Sequence, residues 1–412
     1  MQTSTITVIN PLSKDNVVAP YQHLARLAQL RTLAEYPLPK KMGTIPMESS
    51  IPTDKHILFA LPFPEASFQQ ALAALTIAHP SYRTTYRETA FKDPTIDESA
   101  WSDVDILVTF NCLPASPSLC PRLKLIHFIS AGIDAHLSHS MLTSTDISVT
   151  TSTGIHGPPM AEWFILGLLA HQTGLPDLYD LQRKREWGNV MKFASRKSLQ
   201  GQRLGILGYG GIGRQAARLA QALGMEVLAY TASAKKTPES RRLTTYTIPG
   251  TGDVEGTIPS EWFSGTDKSS LHHFLSQKLD ILLIAVPLST NTRHLLGWEE
   301  FEVLATNSPS SAPNGGGPFV SNLARGDVVV QEDLVSSLNN GLIRGAAVDV
   351  ADPEPLPSES TLWDAKNIFI TPHMSGVTLD SLKHVVEILN INLGKWEGGE
   401  SLINLFKRTR GY

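Results

Sequence analysis

A chain of 412 residues exceeds the size at which one hydrophobic core stops growing, roughly 250–300 residues, so two domains are expected. With 42% hydrophobic and 18% charged residues and a formal net charge of −4, the composition is that of an ordinary soluble protein and excludes a strongly basic nucleic-acid surface. Two cysteines, Cys112 and Cys120, are too few for a disulfide framework or a zinc site and point to a reducing, cytoplasmic compartment, while the longest apolar runs, such as 281–288, are too short to span a membrane.

Residues 1–54 are rich in Pro, Ser, Thr and Lys and read as an N-terminal extension. Within them, 21–36 is an amphipathic, Arg-containing segment of the kind found in mitochondrial presequences, against which Asp15 and Glu35 count. The folded body opens with a strand at 56–61, stopped by Pro62-Phe63-Pro64. A helix follows, with Phe68, Ala71, Leu72, Leu75 and Ile77 as its apolar positions. Further strands are expected at 105–110 and 123–129, the second ending in the turn Ser130-Ala131-Gly132-Ile133-Asp134. Strands alternating with helices imply a parallel sheet and a first α/β domain over 55–153. Segment 155–172 reads as a largely buried helix at the junction of two domains, with Pro158-Pro159 in its first turn.

A second unit begins at 203–231. An apolar strand at 204–207 breaks into Gly208-Tyr209-Gly210-Gly211-Ile212-Gly213. A helical pattern of Ile212, Ala216, Ala217, Leu219, Ala220 and Leu223 leads to a second strand at 226–230. Strand, glycine turn, helix and strand in this register form the context in which G-x-G-x-x-G binds a dinucleotide. Glycine lets the backbone approach a pyrophosphate, and the helix start at Gly211 offers unpaired N–H groups. The second strand runs into Thr231-Ala232-Ser233-Ala234-Lys235-Lys236, with Arg241 and Arg242 close behind and no acid to hold a ribose 2′-hydroxyl. That end favours NADP(H) over NAD.

The stretch 234–268 is polar and poor in pattern and reads as an inserted surface loop. Strands return at 279–286, 318–323, 345–350 and 367–371, with a low-complexity loop at 306–317 and an amphipathic final helix from about 378 to 396. The cofactor domain is thus expected over 154–375, with 376–412 completing the first domain. In an open parallel sheet, ligands bind at the carboxyl ends of strands. Arg325, Glu354 and His373 each follow a separate strand there. They would supply a cation for a carboxylate and carbonyl oxygen, a carboxylate to orient an imidazole, and an imidazole to exchange a proton. This is the set that reversible reduction of a 2-keto acid requires.

The stretches Asn322-Leu323-Ala324-Arg325-Gly326, Gly345 to Val350 with Glu354-Pro355-Leu356-Pro357, and Thr371-Pro372-His373 resemble the signatures of the D-isomer-specific 2-hydroxyacid dehydrogenases, which include glyoxylate/hydroxypyruvate reductases. The likeness extends from about residue 100 to 396 and takes in the glycine motif, Ala161-Glu162, and Pro287 with Thr292. It implies two doubly wound parallel-sheet α/β domains, Rossmann-like and flavodoxin-like, with the active site in the cleft between them. It also implies a homodimer and no membrane or nucleic-acid partner. His373 would be the general acid/base, Glu354 its carboxylate partner, and Arg325 the anchor of the substrate carboxylate. The backbone of Ala131, Gly132 and Ile133 would hold that carboxylate too, and Asp349 would contact the nicotinamide carboxamide. With the glycine turn, Thr231, Pro287, Thr292 and Leu323 complete the expected cofactor contacts. The expected substrate is a small 2-keto acid such as glyoxylate or hydroxypyruvate. A phosphorylated substrate would need cations beside the turn at 131–134, where none stands. A dinucleotide-responsive protein-binding scaffold is the alternative, disfavoured by the lack of basic clusters.

Overall fold

The computed structural model describes residues 55–194, 196–309 and 317–408. The N-terminal extension with its amphipathic segment, and the centre of the 306–317 loop, lie outside the described residues.

The first sheet has five parallel strands in the order β2-β1-β3-β4-β5: β1 (Lys55–Leu61), β2 (Tyr82–Glu88), β3 (Ile106–Thr109), β4 (Leu125–Phe128) and β5 (Ser148–Thr151). Alternate residues of β1 face opposite cores, as a pleated strand buried on both sides requires. Ile57, Phe59 and Leu61 pack with α1 (Gln69–Ala78) and α8 (Leu382–Glu397), and Leu58 and Ala60 pack with Trp101, Ile126 and Met141. Phe68 and Leu75 meet this core at helical spacing; Ile77 falls out of phase and stands 82% exposed, contrary to its expected place on the buried face.

The second sheet has seven strands, ordered β12-β11-β10-β9-β6-β7-β8 and parallel throughout. They are β6 (Arg203–Leu207), β7 (Glu226–Thr231), β8 (Glu261–Ser264), β9 (Ile281–Ile284), β10 (Phe319–Asn322), β11 (Gly345–Val348) and β12 (Ile368–Ile370). Strand order reverses between β6 and β9, so a crevice opens at their carboxyl ends. On one face lie α2 (Gly157–Thr173) and α4 (Gly211–Ala222); on the other lie α5 (Lys268–Leu275), α6 (Trp298–Asn307) and α7 (Gln331–Asn339). Among the described residues no helix is long and apolar enough to cross a membrane.

Three strands escape the sequence reading: β2, β5 and β8, each at a sheet edge. Edge strands need no continuous apolar run, and YRTTYRE, SVTT and EWFS have none. The expectation of a patternless surface loop over 234–268 is therefore corrected. That stretch contributes β8 and buries Asp253, which accepts hydrogen bonds from the Tyr209 hydroxyl (2.8 Å) and the backbone N–H groups of Thr257 and Ile258 (both 3.0 Å). A buried carboxylate holds only when its oxygens are so satisfied. Helix α2 also departs from expectation, since Leu166 and Leu169 on it are exposed. The final helix starts later, at Leu382, after a 3-10 turn at Leu379–Ser381.

Candidate active site

The glycine turn joins β6 to α4. Gly208 sits at φ +105°, in the left-handed region that glycine favours, and a side chain there would overlap the Ala285 carbonyl of the strand across the crevice. A Cβ on Gly213 would overlap the Gly208 carbonyl oxygen. At Gly210, by contrast, the space a Cβ would fill is open, and no side chain caps the first turn of α4. An open backbone cradle before uncapped helix N–H groups fits a dinucleotide pyrophosphate. Three residues past β9, the Pro287 carbonyl accepts the Thr292 hydroxyl at 2.7 Å. The Tyr209 ring turns inward beneath the Arg214 guanidinium, Leu323 is buried in the core, and the Thr231 hydroxyl donates to the Ser233 carbonyl at 2.8 Å. Arg241 and Arg242 are engaged locally, the first donating to the Lys235 carbonyl at 3.0 Å and the second paired with Glu255 at 2.6 Å.

The three residues that follow β10, β11 and β12 converge. Asn322, buried at the end of β10, clamps the next turn: its amide donates to the Arg325 carbonyl at 2.9 Å and its oxygen accepts the Ala324 N–H at 3.0 Å. The clamp turns Arg325 toward the first domain. Its Nε and Nη2 lie 3.2 and 3.0 Å from the two carboxylate oxygens of Asp134. Gly132, two residues before Asp134, lies so close that a Cβ on it would overlap Arg325 Nη2. The expected substrate turn and the expected substrate cation therefore meet across the cleft.

His373 Nδ1 lies 2.8 Å from Glu354 Oε2. The Glu354 bond holds the His373 pKa above its usual 6.5, against the opposing effect of burial. Burial pushes Glu354 upward, but the bonds from His373 and from the Ala351 N–H (3.1 Å) keep it below the ordinary glutamate value. The bond thus favours the imidazolium and carboxylate forms of the pair, and leaves Nε2 free of Glu354 for proton exchange.

Asp349 forms the mould for the histidine. Only 1% exposed, its carboxylate accepts the Thr371 hydroxyl at 2.6 Å and the Met374 and Ser375 N–H groups at 2.9 Å each. These bonds wrap 371–375 around it and hold His373 at φ +52°, a conformation costing a non-glycine residue about 1–3 kcal/mol. Sequence reasoning placed Asp349 against the cofactor and missed this duty, along with Asn322 and Asp134. A polar residue ending an apolar strand was the available signal for Asn322, and position next to the substrate turn was the signal for Asp134. His156, before α2, is held down to about 4 by burial, with the Arg325 charge adding to the effect, and is neutral at pH 7. His127 is fully buried between Thr150 and Ser152.

The profile of the D-isomer specific 2-hydroxyacid dehydrogenase NAD-binding domain matches residues 165–249 and 256–375. The chain belongs to the D-isomer-specific 2-hydroxyacid dehydrogenase family. Similar proteins include a glyoxylate reductase of Thermofilum pendens, 29% identical over 66% of this chain and 71% of that protein. Glyoxylate/hydroxypyruvate reductase A of Salmonella paratyphi B is 29% identical over 71% of this chain and 82% of its own length. Among solved structures, an NADPH-dependent glyoxylate/hydroxypyruvate reductase from Sinorhizobium meliloti, in complex with NADP and sulfate, aligns with a TM-score of 0.67, at 25% identity over 87% of this chain and all of that one. As a member of the family, the chain is an NAD(P)-dependent oxidoreductase whose cofactor domain is the one built around Gly208–Gly213.

Proposed function

We propose that this enzyme reduces small 2-keto acids, glyoxylate or hydroxypyruvate among them, to D-2-hydroxy acids, with NADPH as the preferred reductant. The observation that carries the reading is the His373–Glu354 pair at 2.8 Å set against Arg325 at the mouth of the dinucleotide crevice. The reduced nicotinamide, when bound, supplies hydride to the carbonyl carbon. Arg325 binds the substrate carboxylate, joined by the backbone of Ala131, Gly132 and Ile133, and draws density from the carbonyl oxygen. His373, charged through Glu354, gives its Nε2 proton to that oxygen; in the reverse direction it takes the proton back. Asp349 keeps the imidazole in place and lies close to where the carboxamide would sit. Gly208 to Gly213 receive the pyrophosphate, and Thr231, Pro287, Thr292 and Leu323 are assigned to the remaining cofactor contacts.

Preference for NADPH is supported by the acid-free end of β7, which Lys235 and Lys236 follow in sequence, and by relatives solved with NADP or NADPH. We assign 55–153 with 376–412 to the substrate domain and 154–375 to the cofactor domain. A homodimer is supported by the exposed apolar side chains of Leu166, Leu169, Tyr179, Trp187, Val190 and Met191. Two buried, unpaired cysteines suit a cytoplasmic setting. The test is oxidation of NADPH and NADH by the purified chain with a panel of 2-keto acids. Turnover of glyoxylate faster with NADPH supports the reading, and turnover of no keto acid with either cofactor overturns it.

A further inference from the structure

The Arg325 guanidinium is already half engaged. Its Nε and Nη2 edge faces the Asp134 carboxylate at 3.0–3.3 Å, and Nη1 donates to the Ala324 carbonyl at 2.8 Å. Both side chains of the pair are partly solvent-exposed at the cleft, 29% for Arg325 and 36% for Asp134. Burial works against the charge on Asp134, yet Arg325 holds its pKa below the ordinary aspartate value, so the carboxylate is ionised at neutral pH. His373 adds to the effect of Arg325 on Asp134, whereas His136, on the same turn, is shifted downward by burial and by His139. Beyond Asp134 the carboxyl ends of β1, β2 and β3 carry aromatic rings. Phe91 meets Phe63 and Phe110 edge-on, with centroids 5.5 and 6.0 Å apart, and is 60% exposed. Phe110 follows β3, the immediate neighbour of the strand that leads to the substrate turn. The carboxyl ends of β1 to β4 thus bring an apolar cluster and the Asp134 carboxylate to the same edge of the first sheet.

Resting on the reductase reading, we propose that Asp134 is a specificity-determining residue: its carboxylate stays beside Arg325 in the substrate complex and repels a second anionic group, restricting the enzyme to 2-keto acids that carry one carboxylate and an uncharged side group. A substrate with one carboxylate uses the open Nη1/Nη2 end of the guanidinium. One with a second carboxylate, or a phosphate, brings like charge against Asp134 at close range in a partly desolvated cleft.

The experiment compares glyoxylate with oxaloacetate as NADPH-dependent substrates of the full chain, and D-lactate with D-malate as ligands by calorimetry, in wild type, Asp134→Asn and Asp134→Glu. Asp134→Asn is expected to raise kcat/KM for oxaloacetate relative to glyoxylate at least tenfold, and affinity for D-malate relative to D-lactate likewise. Both gains shrink between 0.05 and 0.5 M salt, as screening of a single charge demands, and Asp134→Glu keeps the wild-type ratios. Equal changes for mono- and dicarboxylates in Asp134→Asn would overturn the proposal. Equal losses would make Asp134 a brace for Arg325, and equal gains would make it a placeholder that the substrate displaces. Absence of keto-acid turnover in the wild type would overturn the reductase reading instead, and the D-lactate to D-malate affinity ratio then decides the role of Asp134 by itself.

Discussion

His373 stands in a backbone conformation that only its surroundings can maintain, and those surroundings are Asp349 and Glu354. The two acids do separate things. Glu354 sets the charge: because its bond raises the His373 pKa above 6.5, the imidazolium persists to higher pH than a free histidine would. Reduction consumes that proton, so kcat/KM for keto-acid reduction falls as pH rises through the raised His373 value. In Glu354→Gln that limb moves down toward about 6.5, the unperturbed histidine value, as a pH–rate profile would record. The same sign governs stability. The pair's contribution is full below the unfolded histidine value and is lost as pH climbs through the folded one; on the acid side it is lost as pH falls through the depressed Glu354 value. Asp349 sets the geometry. Asp349→Ala strands the Thr371 hydroxyl and two N–H groups in a buried site, at about 1–3 kcal/mol for each group left without a partner. We expect a lowered thermal midpoint and at least a hundredfold loss of kcat.

Among the elements, the glycine turn was legible in the sequence because its chemistry is local. Strand, turn and helix lie within thirty residues, and each glycine answers a steric demand in the backbone, as Gly213 does against the Gly208 carbonyl. Gly213→Ala should weaken NADPH binding at least tenfold in a fluorescence titration while leaving the first domain's fold intact. Arg325, Glu354 and His373 could be singled out for a related reason: each lies in the loop that follows a strand of the parallel sheet, at the carboxyl end where ligands bind. What the sequence concealed depends on contacts between distant segments. The edge strands β2, β5 and β8 bury one flank and keep polar residues, so no apolar run announced them. Asp253 gave no sign that it would anchor a polar insertion to Tyr209, forty-four positions away. Nor could spacing bring Asp134 to Arg325, since that pair exists only once two domains face each other across a cleft.

At the scale of the whole molecule, loops from the carboxyl ends of the two sheets meet where Asp134 pairs with Arg325, and the residues proposed to act on substrate are drawn from both sheets. The exposed apolar residues of α2 and of the segment after it, Trp187 fully exposed among them, form the strip proposed as the homodimer face. Replacing Trp187 by Glu should shift the proposed homodimer toward half its mass in sedimentation equilibrium while the far-ultraviolet dichroism of the folded chain persists; a species of unchanged mass would remove this strip from the interface. The role of His373 at the cleft is best measured by following NADPH absorbance with glyoxylate in wild type and His373→Ala under conditions where both bind cofactor equally. The wild type is expected to oxidise NADPH rapidly and the variant to lose at least a thousandfold in kcat. Equal rates in the two proteins would contradict that role.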